Sequence, residues 1–419
     1  MTSVADQAWF RDEALQRVLA LLDADGGEGR VVGGAVRNSL MGLPVADIDI
    51  ATTLLPETVV ERAEAAGIKA VPTGIAHGTV TLVIDGKPFE ITTLRRDVET
   101  DGRRAVVAFS KDWQADAERR DLTINALYAS ADGKVVDLVG GLADLERRNI
   151  RFIGDAATRI AEDHLRILRF FRFFAYYGSG RPDADGLRAC AAAKSKISTL
   201  SAERVWSEMK KLLAAEDPGR ALLWMRQIGI LTEVLPETEK WGIDAIPGLV
   251  AAEQALGWAA EPLLRLAAIV PPDATRLTKL AERLRLSKAE GAYLQAWANA
   301  PVVKDDISEA AFDRLLYRHD PTGVAVRLKL ALAVARSKAE SDFEEMARVA
   351  RLGKLLERVA KWKKPAFPLN GADALAAGVT AGPRVGELLA KLEQEWLDAN
   401  FAMNRASLLT RLKDLANAS

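Results

Sequence analysis

Apolar residues recur at helical spacing at Phe10, Leu15, Val18, Leu19 and Leu22, predicting an amphipathic helix over residues 9–24 that the Gly26-Gly27 pair stops. From Arg30 to about Asp137 the pattern changes. Short β-rich runs (Val31-Val32, Ile48–Ile50, Thr79–Ile84, Phe89–Leu94, Val135-Val136) alternate with helical stretches such as Pro56–Ala66, the signature of an α+β or α/β domain. Beyond about Leu145 strand signals almost vanish. Helical patterns follow one another at 159–177, 202–214, 219–230, 260–269, 276–285, 308–317, 324–336, 340–360 and 384–396. Pro218-Gly219, Pro236, Pro247-Gly248, Pro271-Pro272 and Pro321 punctuate them. No fixed-period repeat emerges, which disfavours a regular solenoid. The expectation is a mixed N-terminal domain carrying the chemistry and an all-helical remainder.

At 419 residues the chain is long enough for two to four domains, and 49% hydrophobic residues exclude wholesale disorder. No apolar run approaches the roughly 18 residues of a spanning helix, and residues 1–11 lack a cleavable signal pattern. Cys190 stands alone, excluding an intrachain disulfide and a cysteine-cluster zinc site, and His77, His164 and His319 are too few for a histidine-built centre. A cytoplasmic protein is expected. With 57 basic and 58 acidic residues the net charge is −1, so no overall field draws in nucleic acid; a local basic face remains compatible with that balance.

The candidate chemistry begins at Gly33-Gly34-Ala35-Val36-Arg37-Asn38, after an apolar run and opening a helix. Paired glycines let backbone approach a bulky anion, and Arg37 is placed one turn in to meet phosphate oxygens. No Gly-Lys-Ser/Thr follows, so this is not an ATPase P-loop. Next comes Asp47-Ile48-Asp49-Ile50, where two acids two apart in a strand share one face. Such a pair repels itself unless a divalent cation neutralises it, and oxygen ligands suit Mg²⁺ with substrate phosphates completing the shell. Glu90 lies within a strand pattern, either as a third carboxylate accepting a proton from an attacking hydroxyl or as an outward surface glutamate. In Arg119-Arg120-Asp121-Leu122-Thr123-Ile124-Asn125-Ala126, Asp121 reads as a helix N-cap with Asn125 one turn later. Arg120, Asp121 and Asn125 then form a polar cluster suited to a ribose and its phosphate.

In this order and spacing the motifs resemble the class II tRNA nucleotidyltransferases, the family of bacterial CCA-adding enzymes and the closely similar bacterial poly(A) polymerases. Asp137–Leu145 is similar to the family's hinge between head and neck, Glu162–Arg169 to its nucleotide-selecting helix, and Ala221–Glu237 to its body region. The resemblance covers roughly residues 30–240. One position departs from it: Asn38 stands where the family usually has Asp. The resemblance implies a polymerase-β-like α+β head over 1–148 with a mixed sheet, an all-α neck over 149–215, a body over 216–300 and a tRNA-binding tail over 301–419. The implied reaction is attack of a terminal RNA 3′-hydroxyl on the α-phosphate of CTP or ATP, with release of pyrophosphate. Asp47 and Asp49 would hold two Mg²⁺ ions, with Glu90 beside them, while Gly33, Gly34 and Arg37 would hold the β- and γ-phosphates.

Base selection follows from hydrogen-bond polarity. Cytosine and adenine each present an amino donor beside a ring-nitrogen acceptor, whereas uracil and guanine present a carbonyl beside an N–H. A fixed carboxylate on Asp163 beside a fixed guanidinium on Arg166 fits the first pair and opposes the second. Glu162 would hold Arg166, and Arg169 and Arg172 would reach the triphosphate or the primer end. A plain intrahelical salt-bridge ladder is the competing account of this helix. Residues 96–111 read as a mobile loop, or as a surface linker. His319-Asp320 reads as a helix terminus, since the other histidines cannot complete a metal set. Lys354, Arg358, Lys361, Lys363 and Lys364 around Trp362, and the helix opening at Gly382-Pro383, are candidate RNA contacts or a solvated basic face. CCA addition to tRNA leads; poly(A) addition or partial CC-only or A-only addition share every motif. Intact Asp47, Asp49, Arg120 and Asp121 argue against a catalytically dead scaffold.

Overall fold

The computed structural model describes residues 2–75, 78–101, 104–239, 241–339 and 342–417; His77, Gly102 and Arg103 lie outside them. The chain divides into two compact units, Met1–Glu239 and Lys240–Ser419, so the segment expected as a body over 216–300 contributes helices to both.

The first unit opens with α1 (Glu13–Asp23), capped by Asp12, whose side chain accepts from the Ala14 N–H at 3.1 Å. Its Leu15, Val18, Leu19 and Leu22 are buried, as their spacing predicts. There follow β1 (Gly29–Val32), α2 (Gly34–Leu40), β2 (Asp49–Thr52), α3 (Pro56–Ala65), β3 (Lys69–Gly74), β4 (Thr79–Ile84) and β5 (Lys87–Thr93). Next are β6 (Arg95–Asp101), β7 (Arg104–Phe109), α4 (Trp113–Glu118), β8 (Leu127–Ala129), β9 (Val135–Asp137) and α5 (Gly141–Glu146). Seven strands form one mixed sheet in the order β3-β4-β5-β2-β1-β8-β9. Among the described residues, β2 and β5 pair in parallel and the other neighbours are antiparallel. On β4, Val80, Leu82 and Ile84 point into the core, and the β4–β5 hairpin turns on Asp85-Gly86, both at positive φ as a type I′ turn requires.

Two expectations fail here. Most of the polar stretch at 96–111 is not a loop: β6 (to Asp101) and β7 (Arg104–Phe109) pair with each other as a separate two-stranded ribbon. No α-helix follows Asp121. Thr123–Asn125 make one 3₁₀ turn whose cap position is Leu122, and the chain passes directly into β8.

The helical part of this unit comprises α6 (Ala156–Glu162), α7 (Leu165–Tyr177), α8 (Ala184–Ala193), α9 (Ala202–Leu213), α10 (Gly219–Gln227) and α11 (Ile230–Val234). The predicted helix 159–177 is two helices, broken at Asp163, whose φ of −154° and ψ of 105° are extended. Four phenylalanines of α7, Phe170, Phe171, Phe173 and Phe174, are buried, and Phe152 stacks on Phe170 at 5.3 Å.

Among its described residues, the regular elements of the second unit are all helices. It contains α12 (Ala245–Leu256), α13 (Pro262–Ile269), α14 (Ala274–Arg283), α15 (Lys288–Asn299), α16 (Glu309–Arg318) and α17 (Pro321–Lys338). It ends with α18 (Phe343–Lys361), α19 (Gly371–Ala376), α20 (Pro383–Asp398) and α21 (Arg405–Asn417). Pro247-Gly248, read as punctuation, lies in the first turn of α12, where the missing proline N–H has no intrahelical acceptor to lose. Arg265 and Glu253 form a buried pair at 2.7 Å. Asp320 caps α17 through the Thr322 N–H at 2.8 Å, so His319-Asp320 is the helix terminus expected. Among the described residues no helix is long and apolar enough to cross a membrane.

Candidate active site

Strand register builds the site. Glu90 on β5 is opposite Asp49 on β2, Asp49 is opposite Val32 on β1, and Val32 is opposite Tyr128 on β8. Residues directly opposite share a face, so one row crosses four strands. Over β1 and β8 that face is roofed by Ala117 and Ile153, which pack with Val32, Ala51 and Tyr128. Over β2 and β5 it opens into a cavity of about 730 Å³ lined by Asp47, Asp49 and Glu90 together with Trp9, Asp12 and Lys87. Asp47 is in the coil just before β2 rather than in the strand, yet its carboxylate shares the cavity of Asp49.

The electrostatics of these acids follow from their neighbours. Burial raises the Asp49 carboxyl above its usual range, Arg120 pulls it back and the charge of Asp47 pushes it up again. Glu90 is raised by burial and by Asp49. Among the described residues no three imidazole, thiol or carboxylate groups already form a metal cage. Asp47, Asp49 and Glu90 instead offer hard oxygen donors on an open cavity, a set that fits a divalent cation whose other ligands come from a phosphate and water.

At the end of β1 the backbone turns through Gly33, with φ of 73°, and its N–H donates to the Leu127 carbonyl at 2.9 Å. A side chain here would be strained by the positive φ, its Cβ resting against the Asn125 carbonyl at 3.4 Å. Gly34 is different: an added Cβ would meet only the Arg37 guanidinium, at an ordinary 3.8 Å. The fold does not demand this second glycine.

Arg37 is buried, not an extended phosphate arm. Its guanidinium donates to Asn125 Oδ1, to Asn38 Oδ1 at 3.1 Å and to Tyr177 Oη at 2.9 Å, and lies 4.2 Å above the Tyr177 ring. Asn38 thus accepts as an aspartate would, while its Nδ2 donates to the Pro44 carbonyl at 2.9 Å. The hydrogen-bond partners of Arg37 are neutral, and burial lowers its pKa.

Asp121 is also buried. Its Oδ1 accepts from the Leu122 N–H at 2.8 Å and from Asn125 Nδ2 at 3.0 Å, and its Oδ2 from Arg169 Nε at 2.7 Å. Burial alone would raise this carboxyl; the Arg169 charge and these bonds hold it at about 2. The cap expected of Asp121 is absent, but its bond to Asn125 is made. Arg120 is held at Asp116 by 3.1 and 3.2 Å bonds and at Tyr128 Oη by a 3.2 Å bond.

At the α6–α7 break, Glu162 pairs with Arg166 and with Arg159. Arg166 also donates to the Arg159 carbonyl at 2.9 Å and the Arg119 carbonyl at 3.2 Å, leaving further N–H groups of its guanidinium without a partner among the described residues. Asp163 accepts from the Leu165 N–H at 3.1 Å, and its partner cation is Arg204 of α9 at 2.7 Å, not Arg166. A simple ladder along one helix is therefore excluded by the break. Arg169 is tied to Asp121, and Arg172 bonds the buried Glu208 of α9 at 2.6 Å, so neither is a free arm. Tyr177, Arg204, Glu208, Asp116 and Tyr128 were not singled out from the sequence; a buried acid facing arginines is invisible until α9 is packed on α7.

In the second unit the basic patch is partly neutralised. Arg358 pairs with Asp313 at 2.6 Å and Glu309 at 2.9 Å, Lys361 approaches Glu357 at 3.9 Å, and Lys364 lies 4.6 Å above the Tyr317 ring.

The family model for the poly A polymerase head domain matches residues 29–151, and one described as a probable RNA and SrmB-binding site of polymerase A matches 182–241. The mitochondrial CCA tRNA nucleotidyltransferase 1 of Mus musculus is 34% identical over 96% of this chain and 90% of its own length. A CCA-adding enzyme of Limosilactobacillus fermentum is 29% identical over 97% of this chain and 98% of its own. The crystal structure of the Bacillus stearothermophilus CCA-adding enzyme in complex with CTP superposes with a TM-score of 0.71 at 26% identity, covering 96% of this chain and 97% of that one.

Proposed function

The chain belongs to the class II CCA-adding tRNA nucleotidyltransferase family, and from that premise we propose that it adds C, C and A to the 3′ end of tRNA, using CTP and ATP and releasing pyrophosphate. The observation that carries the proposal is the register that sets Asp49 beside Glu90 on one cavity with Asp47, at the strand ends from which the Gly33-Gly34 turn also springs.

Asp47 and Asp49 are the residues that would hold Mg²⁺, which when bound supplies charge neutralisation at the phosphates. Glu90 takes up the proton of the attacking 3′-hydroxyl at a carboxylate oxygen; burial and Asp49 raise its affinity for that proton. Gly33 and Gly34 admit the triphosphate close to backbone, and Arg37 offers it a positive charge whose hydrogen-bonded neighbours are neutral. Arg120, Asp121 and Asn125 form the wall for the ribose and its phosphate, with Arg169 and Arg172 orienting that wall through Asp121 and Glu208. Asp163 accepts from the amino group of cytosine or adenine and Arg166 donates to the ring nitrogen, Glu162 holding Arg166 in place. Arg204 fixes the Asp163 carboxylate.

A head, neck, body and tail arrangement over 1–148, 149–215, 216–300 and 301–419 accompanies this reading, with tRNA reaching the tail. The cytoplasm is the proposed site of action, although the Mus musculus relative is designated mitochondrial. Poly(A) addition is the second reading, favoured by the polymerase A description of the matching family models. Incorporation of labelled CTP and ATP into tRNA lacking its 3′ CCA, against an oligo(A) primer, decides between them.

A further inference from the structure

A single buried carboxylate in the first unit gathers the side chains of three neighbours. Asp116, in α4, is 1% exposed. Its Oδ1 accepts from Arg119 Nε at 2.8 Å; its Oδ2 accepts from Arg120 Nε at 3.2 Å, Arg120 Nη2 at 3.1 Å and Tyr128 Oη at 2.8 Å. Arg120 Nε also reaches Tyr128 Oη at 3.2 Å, and the guanidinium stands 5.4 Å from the Tyr128 ring centroid. Burying a carboxylate costs free energy that packing alone does not require, since an apolar side chain would fill the same space. What the carboxylate adds is direction.

Both bonds from Arg120 to Asp116 leave from one edge of the guanidinium, through Nε and Nη2. The Nη1 edge has no hydrogen-bond partner among the described residues. Asp116 pairs with both Arg119 and Arg120, so its one carboxylate is shared between two guanidinium groups. Tyr128, the other anchor, belongs to the row of strand partners that continues through Val32 to Asp49 and Glu90. The backbone is thus tied to the carboxylate cavity and the guanidinium is tied to the backbone's tyrosine.

We propose that Asp116, steadied by Tyr128, is a positioning residue that aims the free edge of Arg120 at the bound nucleoside triphosphate. This rests on the assignment of Arg120 to the nucleotide given above. Neither Asp116 nor Tyr128 touches substrate; each acts through Arg120 and fixes one of its remaining degrees of freedom.

The test measures KM for CTP, kcat and the melting temperature for Asp116→Asn, Tyr128→Phe, Arg120→Ala and the Asp116→Asn/Arg120→Ala double variant. Asp116→Asn should raise KM about 10- to 100-fold, the size typical of residues that orient a ligand-binding group, with a smaller effect on kcat. Tyr128→Phe, which removes only a hydroxyl and keeps the ring, should move KM in the same direction by less. Millimolar guanidinium should restore activity to Arg120→Ala, because Asp116 can still hold the added cation, and should fail to restore the double variant. Equal rescue of both, or wild-type KM in folded Asp116→Asn and Tyr128→Phe, overturns the positioning role. Wild-type KM in Arg120→Ala overturns instead the assignment of Arg120 on which it rests.

Discussion

Asp121→Asn is the substitution whose cost can be worked out in advance. The wild-type carboxyl titrates at about 2 in the folded chain, against an ordinary 3.8, because Arg169 Nε stands 2.7 Å away and Asn125 and the Leu122 N–H donate to the other oxygen. A folded-state pKa below the unfolded one means that the ionised form stabilises the fold. That stability is complete above the unfolded pKa and is lost as pH falls through the folded one. The difference corresponds to about 2–3 kcal/mol at pH 7, of which roughly half remains at pH 3. The amide keeps the shape and the Leu122 contact but carries no charge for Arg169, so it should lose this stabilisation. Urea unfolding, followed on the transition of the first unit, should show the variant destabilised by about 2–3 kcal/mol at pH 7 and by about half that at pH 3. A loss below about 0.5 kcal/mol at pH 7, the size expected of an exposed pair, or a gap that does not narrow in acid, would refute the argument that Asp121 and Arg169 form a buried pair joining the head to α7.

Asp49→Asn should cost roughly 10²-fold or more in turnover with an unchanged melting temperature, because the carboxylate faces a cavity and not the core; retention of a tenth or more of the activity contradicts its role. Gly34→Ala should fold normally, since the added methyl meets only Arg37 at 3.8 Å, yet should weaken triphosphate binding in a direct titration; an unchanged affinity removes Gly34 from the phosphate site. Asp163→Ala should admit UTP and GTP, whereas Arg166→Ala should weaken use of CTP and ATP together; competition among all four triphosphates reads both, and wild-type ratios in both variants return the pair to a structural role.

Where side chains alternate or recur regularly, the sequence announces the element. Thr79–Ile84 shows this in β4, and α1 and α3 end within a residue or two of the expected limits on their C-terminal sides. Four strands were hidden, for three distinct reasons. Residues 127–129 form a strand too short for alternation to show, and all three side chains are buried. Lys69–Gly74 contains Pro72, which is tolerated because β3 is an edge strand with no partner on one side. The β6–β7 ribbon is polar enough to resemble a loop, and its pairing comes from a partner strand close in sequence.

The site divides in the same way. Asp47, Asp49 and Glu90 are legible as acids in or beside strand runs, and register then brings them together. The arginines are legible as charges but not as contacts. Arg37, Arg169 and Arg172 read as free arms until Tyr177, Asp121 and Glu208 come up against them, contacts made across 140, 48 and 36 residues of chain. Asp163 looked helical because its neighbours are good helix formers; the bonds it makes to Leu165 and Arg204 favour the extended backbone that breaks the helix.

The most direct test is to supply a tRNA transcript ending at the discriminator base with all four triphosphates and Mg²⁺, and to sequence the 3′ ends. The account predicts C, then CC, then CCA, with growth stopping there and no U or G incorporated. Runs of A added without preceding C, or equal extension of an oligo(A) primer, would contradict CCA addition and leave this fold and site serving a poly(A) polymerase.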